Sequence, residues 1–550
     1  MSKNYIKNKI NQIIKREGQT INNAHAHTCD HAMWSRRNFI SSLGLASVGA
    51  AFAVGGNPLK ALGGTSLLNM LSTLETDRKL VIIRLEGGND GLNMVIPRFN
   101  STYYNIRPTI AIPESGLSAL DAQFGLHNAM SDLMPLWNAG DMAVVHSVGY
   151  PEANYSHFES YNIWYAGSPS DDIWETGWLG RYFEQEFPSF FDAPPLVPPA
   201  LEIGNTANLM FQTKAANLAL AVYDPVEFYR IAENGEVFDT FELTADCAYG
   251  TEQMFMRQLS NSCIRYAESI KNAWESSSNT AVYPDDNYLA DQLAIIARMI
   301  KGHLGTKIFL VHIGGFDTHS DQEGWHDTLL NNIGSAVSAF MTDLDQDPTA
   351  KQNTLVMTIS EFGRTRAENG SLGTDHATCA PMMFFGPEVI GGLKGSFASI
   401  DADDLNEYDE PIFTTDFRSM YVTVLKNWFC LDPVWVDYIF RQNFSIVPNL
   451  LPACTPSVGT NGYAVLYGHN PASSGNAIEI KYAILAKSNV RLQILNTAGQ
   501  PLVTLVNEVK EPGAYKFNFN RTNHGLPAGT YVYRLEVAGK RYERKMIYPF

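Results

Sequence analysis

The stretch Thr306–Gln322, TKIFLVHIGGFDTHSDQ, runs from an apolar segment straight into a loop that carries Asp317 and His319. An apolar run closed by a Gly-Gly pair reads as a strand buried on both faces. Helical spacing of apolar residues flanks it on either side, in LADQLAIIARMIKGHL (289–304) and TLLNNIGSAVSAFMTDL (328–344). KLVIIRLEG (79–87), MAVVHSVGY (142–150) and NTLVMTISEFG (353–363) have the same strand-like texture. Strands alternating with helices predict an α/β body with a mainly parallel sheet covered on both faces. In such sheets the working residues gather beyond the carboxyl ends of the strands. Asp90, Asp317, His319 and Glu361 each follow a strand closely, so this topology predicts that they converge.

The chain has 550 residues, enough for at least two domains, and a formal net charge of −17. The charge is uneven. Residues 1–60 hold 8 Lys+Arg against 2 Asp+Glu, and residues 456–550 hold 11 against 5, which leaves 21 basic and 50 acidic side chains between them. So acidic a body repels nucleic acid, whose binding depends on Lys and Arg reaching phosphates, and it suits a protein that tolerates, or recruits, cations.

The candidate chemistry follows from donor types. Hard divalent ions take carboxylate oxygens, and zinc or manganese also accepts imidazole. Asp317 and His319 offer both kinds of donor, and His376 follows the Gly-rich turn of SEFGRTRAENGSLGTDHA (360–377). Glu361 ends the neighbouring strand, and Asn89-Asp90 in EGGNDGLN (86–93) adds oxygen donors, in position to serve a second ion. In YSHFES (155–160), Ser156 and Glu159 have capping-box spacing. The same place suits a nucleophile, because a hydroxyl at a helix N-terminus lies where anions are favoured. His157 is open to three roles: ligand, general acid or packed surface histidine. Arg364 either grips a substrate anion bidentately or pairs with Glu361.

The two ends differ from the body. SRRNFISSLGLASVGAAFA (35–53) has paired arginines, a weakly apolar stretch too short to span a membrane, and a small-x-small ending. It looks like a twin-arginine (Tat) export signal within a leader spanning 1–55, and HAHTCDH (25–31) falls inside that leader. From 463 to 550, short β-rich runs alternate with turns, which predicts a small antiparallel β-sandwich after a linker at 446–462. Of the six cysteines, Cys247 with Cys263 and Cys430 with Cys454 are the pairs able to bridge in an oxidising space; scattered buried thiols are the other reading.

Taken in order, SRRNFI, RLEGGNDGLNMVIP, HSVGYPEANYSHFES, TGWLGRY (176–182), GGFDTHSDQ, ISEFGRTRAENGSLGTDHA and FFGPEVIGGLKG resemble the DUF1501 family of the alkaline phosphatase and sulfatase superfamily. That resemblance, over 78–445, implies a three-layer α/β/α sandwich with an alkaline-phosphatase-like, metal-centred site. It implies Asp317, His319 and His376 around one ion, with Asp90 or Asn89, Glu361 and the Ser156 hydroxyl around a second. Catalytic roles fall to Ser156, Arg364 and His157, and the ion would be zinc, manganese or calcium. The implied activity is hydrolysis of phosphate or sulfate esters; a non-catalytic surface protein that binds a glycan or an ion is the alternative. The chain departs from the alkaline phosphatases in having Glu361-Phe362 where they carry an Asp-His pair. NPAS (470–473), LPAGTYVYRLEVAG (526–539) and KRYERKMIYP resemble the C-terminal sorting domain of type IX secretion substrates. With the leader, this implies export through the periplasm by the Tat translocase and the type IX machinery of a Bacteroidetes-type bacterium. The product would be secreted or held at the cell surface, with no transmembrane anchor.

Overall fold

The computed structural model describes residues 77–186, 197–229, 266–454, 464–466 and 477–548, apart from 205–207, 214–216, 226, 432, 485–486, 497–498, 512 and 528. The leader with its arginine pair and HAHTCDH, the Cys247–Cys263 pairing, residues 455–462 of the expected linker, and NPAS lie outside the described residues.

The body is built on one nine-stranded sheet. Its strands are β1 (Lys79–Glu86), β2 (Met142–Gly149), β3 (Ala200–Ile203), β4 (Ala219–Val222), β5 (Ile308–Gly314) and β6 (Thr354–Ser360). After a two-stranded hairpin, β7 (Gly363–Arg364) and β8 (His376–Ala377), come β9 (Ala380–Phe385), β10 (Gly392–Lys394) and β11 (Thr415–Asp416). The order across the sheet is β10-β2-β9-β6-β1-β5-β3-β4, with β11 beside β2. β1 runs parallel to β5 and β6, with Ile83 level with Val311 on one side and Thr358 on the other. Of the nine strands β9 alone is reversed, antiparallel to both β2 and β6. The carboxyl ends of β1, β2, β5 and β6 therefore share one rim, and the start of β9 lies at the same rim.

Both faces of the sheet are covered, since β2 and β6 are buried at every position. That is why these strands read as unbroken apolar runs: alternate side chains have no wet face to meet. The covering helices include α1 (His157–Ala166), α2 (Trp178–Glu186), α3 (Tyr288–Lys301), α4 (Gln322–Asp343) and α5 (Phe417–Thr423). Asn287 caps α3 by accepting from the backbone N–H groups of Leu289 and Ala290, both at 3.1 Å. Leu289, Leu293, Ile296 and Ile300 then fall on its buried stripe. Removing each such side chain from water contributes about 1.5–3 kcal/mol. The mainly parallel, two-faced sheet is thus the architecture that the sequence predicts.

The body extends further along the chain than the sequence suggests. Val447, Leu450 and Leu451 belong to its main core, and Cys454 is disulfide-bonded to Cys430. The stretch 446–454, read as linker from its Pro, Ser and Thr content, is body, because its three aliphatic residues find apolar cover.

The C-terminal strands are β12 (Ala464–Leu466), β13 (Ala477–Ile484), β14 (Ser488–Leu495), β15 (Pro501–Lys510), β16 (Gly513–Asn520), β17 (Gly529–Val537) and β18 (Lys540–Tyr548). They form a three-stranded sheet, β12-β13-β16, and a four-stranded sheet, β15-β14-β17-β18, all antiparallel. Ile480, Tyr482 and Ile484 of one sheet meet Val490, Leu492, Ile494, Tyr533 and Leu535 of the other in a separate core. Alternate positions point inward, the period that the sequence shows. Among the described residues no helix is long and apolar enough to cross a membrane.

Candidate metal centre

Two glycines at the end of β1 let the rim close. Gly87 (φ +121°) lies against the Asp317 loop so closely that a Cβ there would stand 2.3 Å from the Asp317 nitrogen. Gly88 (φ +78°) leaves room for the Phe362 ring, which a Cβ would approach to 2.5 Å. Only glycine takes both the backbone angle and the contact. The Asp317 loop and the Glu361-Phe362 turn are thereby brought onto one spot.

At that spot three imidazoles converge on one carboxylate. Asp317 Oδ1 lies 3.0 Å from His376 Nε2 and 3.1 Å from His319 Nε2. The Nε2 atoms of His319 and His376 are 3.0 Å apart. His157 Nε2 is 3.5 Å from Asp317 Oδ2. Ligand atoms of His157, Asp317 and His376 all lie within 4.8 Å of one another.

Each imidazole is held by its other nitrogen. His157 Nδ1 is 2.7 Å from Glu361 Oε1, His319 Nδ1 is 2.9 Å from Asp375 Oδ1, and His376 Nδ1 is 3.0 Å from the carbonyl oxygen of Tyr155. Carboxylates and carbonyls only accept, so all three Nδ1 atoms carry the proton. In the neutral rings every Nε2 is then a bare lone pair, and all three are aimed at Asp317. Lone pairs this close repel unless a proton or a metal ion lies between them. A carboxylate or carbonyl behind each imidazole is also the usual outer sphere of a metal-binding histidine. The residues therefore fit a divalent ion held by His157, His376 and Asp317, with His319 Nε2 beside the last two.

The surroundings support the cage. Phe362 is a shared floor, its ring centroid 4.4 Å from that of His376 and 4.9 Å from that of His157. Glu361 is fully buried and also accepts from Gly87 N at 2.8 Å, so it holds His157 rather than facing an ion of its own. That hydrogen bond raises the His157 pKa above the ordinary imidazole value, against the effect of burial. Burial lowers the His376 pKa, partly offset by the Asp317 carboxylate beside it. Burial works to raise the Asp317 pKa, but the neighbouring His376 and Arg364 prevail and hold it at about 2. The Asp317 and His319 side chains stay 49% and 44% exposed, so the centre is open to solvent on one side. An open position is what separates a catalytic or ligand-exchanging site from a closed structural one.

The other candidate residues stand elsewhere. Asp90 is fully buried and paired bidentately with Arg107, at 2.7 and 3.0 Å, and it also accepts from Gln322 Nε2 at 2.5 Å. Asn89 is fully buried too, and its Oδ1 lies 3.1 Å from His326 Nε2. Both side chains are spent on protein partners. Among the described residues, the oxygens expected to hold a second ion with the Ser156 hydroxyl have protein partners: Arg107 and Gln322 for Asp90, His326 for Asn89, His157 and Gly87 for Glu361. Arg364 is likewise enclosed. Its guanidinium donates to the carbonyls of Gly87, Gly88, Phe316 and Thr374 and to Asp317 Oδ1 at 2.7 Å. It braces Asp317 and the rim loops, and it does not pair with Glu361. Ser156 is exposed at the head of α1, directly before His157. The capping box does not form: Ser156 donates its backbone N–H to Asn154 Oδ1 at 2.8 Å, Asn154 Nδ2 bonds Glu159, and the Ser156 hydroxyl caps no N–H.

Two contributors escape a reading of the sequence. Asp375 orients His319 and is itself held by Asn369 Nδ2 at 3.2 Å. Tyr155 acts through its backbone carbonyl, which no side-chain pattern reveals. Asp375 was available as the neighbour of His376, but adjacency in sequence gives no hint that it serves His319 instead.

A family model described as "Protein of unknown function (DUF1501)" matches residues 146–429. That span holds His157, Asp317, His319 and His376 and leaves Asn89 and Asp90 outside. No curated protein matches the chain. Among solved structures, a Bacteroides thetaiotaomicron protein from work on the metabolism of multiple glycosaminoglycans is similar at 10% identity and TM-score 0.32, covering 82% of this chain and 90% of its own. Alkaline phosphatase from the Antarctic bacterium TAB5 is similar at 11% identity and TM-score 0.26, with coverages of 58% and 95%. A Vibrio parahaemolyticus protein of the alkaline phosphatase superfamily is similar at 9% identity and TM-score 0.30, with coverages of 88% and 89%. At such TM-scores the likeness carries nothing about chemistry.

Proposed function

We propose that this chain, which belongs to the DUF1501 family of proteins of unknown function, is a metal-dependent hydrolase acting on phosphate or sulfate esters at a single-ion centre. One observation carries the reading: three imidazoles, each fixed through Nδ1, aim bare Nε2 atoms at one carboxylate on a half-open rim. Three nitrogens and one oxygen suit zinc or manganese better than calcium, which takes six to eight oxygens. When bound, such an ion polarises an ester oxygen and stabilises the charge that develops on it. The chain's own residues do the rest. His157, His319, His376 and Asp317 hold the ion, Glu361, Asp375 and Arg364 keep those ligands aimed, and the uncapped Ser156 hydroxyl beside His157 is the nucleophile. Turnover of an aryl phosphate and an aryl sulfate by the zinc- or manganese-loaded protein tests this. Ser156→Ala is expected to lose at least a hundredfold in kcat. Equal rates in the two proteins remove Ser156 from the mechanism, and no turnover of either ester by the loaded wild type removes the hydrolase.

A second reading keeps the centre and drops the chemistry: a surface protein that binds a glycan or an ion. The enclosed Arg364 guanidinium favours it, because that group is fully buried and already donates to four carbonyls and Asp317 rather than facing an anionic substrate. For either reading we infer export. The twin-arginine stretch, the β-rich sorting-domain-like end and the Cys430–Cys454 disulfide support it, since disulfides persist in oxidising spaces.

A further inference from the structure

The carbonyl that orients His376 belongs to Tyr155, in the loop entering α1. What fixes Tyr155 lies far away in sequence. Its phenol donates to Glu410 Oε2, and its ring stands edge-on to Phe362 at 6.2 Å. Glu410 is only 6% exposed. Among the described residues no Lys or Arg pairs with it, and its same oxygen accepts from Asn406 Nδ2 at 3.3 Å. A buried carboxylate without a cation depends on its few neutral donors, and a hydroxyl donating to a carboxylate is a strong, short-range tie. The Tyr155 phenol is therefore held firmly.

Glu410 itself is carried on a segment built to stay in place. Asn406 Oδ1 receives the backbone N–H groups of Tyr408 at 2.9 Å and Glu410 at 3.0 Å, which closes 406–410 into a tight turn. Arg366 ties the segment twice, to the Ile400 carbonyl at 3.0 Å and to Asp409 at 3.0 and 3.2 Å. Thr378 Oγ1 donates to the Pro411 carbonyl, and Ala398 N donates to Ser147 Oγ at 2.9 Å. Arg366 is two residues beyond Arg364, and Thr378 is two beyond His376. The segment 397–412 thus straps the β7–β8 hairpin that bears the site.

We propose that this strap is a positioning element of the metal centre: Glu410, acting through the Tyr155 phenol, sets the Tyr155 carbonyl and with it the direction of His376 Nε2. The inference rests on the single-ion reading above. Glu410 and Tyr155 touch no ligand to the ion through their side chains, so they are positioning residues and not catalytic ones.

Cobalt(II) titration of the full chain tests it, followed by visible absorption, whose intensity reports coordination geometry, with thermal melts as a folding control. Glu410→Ala and Tyr155→Phe are expected to bind cobalt about ten- to a hundredfold more weakly, the size of effect that outer-sphere partners have, and with an altered band. Glu410→Gln keeps an oxygen for the phenol and is expected to recover most of the affinity. Should Glu410→Ala not fold, Tyr155→Phe, which deletes one oxygen atom, decides the matter. Wild-type affinity and spectrum in folded Tyr155→Phe and Glu410→Ala overturn the strap while leaving the metal centre standing. Failure of the wild type itself to bind cobalt overturns the metal centre and the strap with it.

Discussion

Asp90 and Asp317 follow β1 and β5 at nearly the same remove, yet they do different work. Asp90 is sealed against Arg107, and Asp317 stands half-exposed among imidazoles. Asp90→Asn should strand the Arg107 charge and cost about 3–5 kcal/mol of stability, read by denaturant melts, with little change in metal affinity of the folded fraction. Asp375→Ala should do the reverse: near-native stability and a metal affinity about ten- to a hundredfold lower, because His319 loses the acceptor that fixes its tautomer. Reversal of those two outcomes would mean that the site has been placed on the wrong aspartate. The sequence singles out Asp317, His319 and His376 as donor types set just beyond or before a strand, and the fold brings the three together. It could not separate Asp90 from Asp317. A carboxylate after a strand looks the same whether its partner is a metal ion or an arginine 17 residues away. His157 is open among three roles for a similar reason: only the fold shows it held by Glu361 and turned toward Asp317.

At the scale of elements, the strands and the two long helices were readable because burial on both faces writes itself as apolar runs and stripes. The reversal of β9 was not, as its run of apolar residues carries no direction. It matters to the site, because a reversed strand places its start, and His376 just before it, at the same rim as the ends of β1, β5 and β6. The segment 446–454 reads as linker on composition, since Pro, Ser and Thr give no sign that three aliphatic neighbours have a core to enter. The Cys430–Cys454 disulfide spans 24 residues and closes this last piece onto the body. Replacing both cysteines by serine is expected to cost about 2–4 kcal/mol, measured by chemical denaturation under oxidising conditions. A loss below about 0.5 kcal/mol would mean that Val447, Leu450 and Leu451 hold the segment without help.

For the whole molecule, pH dependence follows from two buried histidines. Burial pushes the pKa values of both His146 and His326 down to about 4. A group whose folded pKa is depressed contributes its full stability above the unfolded value, about 6.5, and loses it as pH falls toward the folded value. Each is worth on the order of 3 kcal/mol across that window. His157, shifted upward, works in the opposite sense but is partly exposed and counts for less. The melting temperature should therefore drop steadily from pH 6.5 to 4, and His326→Gln, which keeps a donor for Asn89 but does not titrate, should flatten the drop. An unchanged profile in that variant would show that His326 is not a source. The separate core of the C-terminal sandwich further predicts a second calorimetric transition, distinct from that of the body.

The central claim is one cation held by His157, His319, His376 and Asp317. Its most direct test is a crystal grown with zinc and measured on both sides of the zinc absorption edge. One strong anomalous peak bounded by the three Nε2 atoms and Asp317 is expected, and none beside Asp90. No peak among those imidazoles, or a peak against Asp90 with Arg107 displaced, would contradict it.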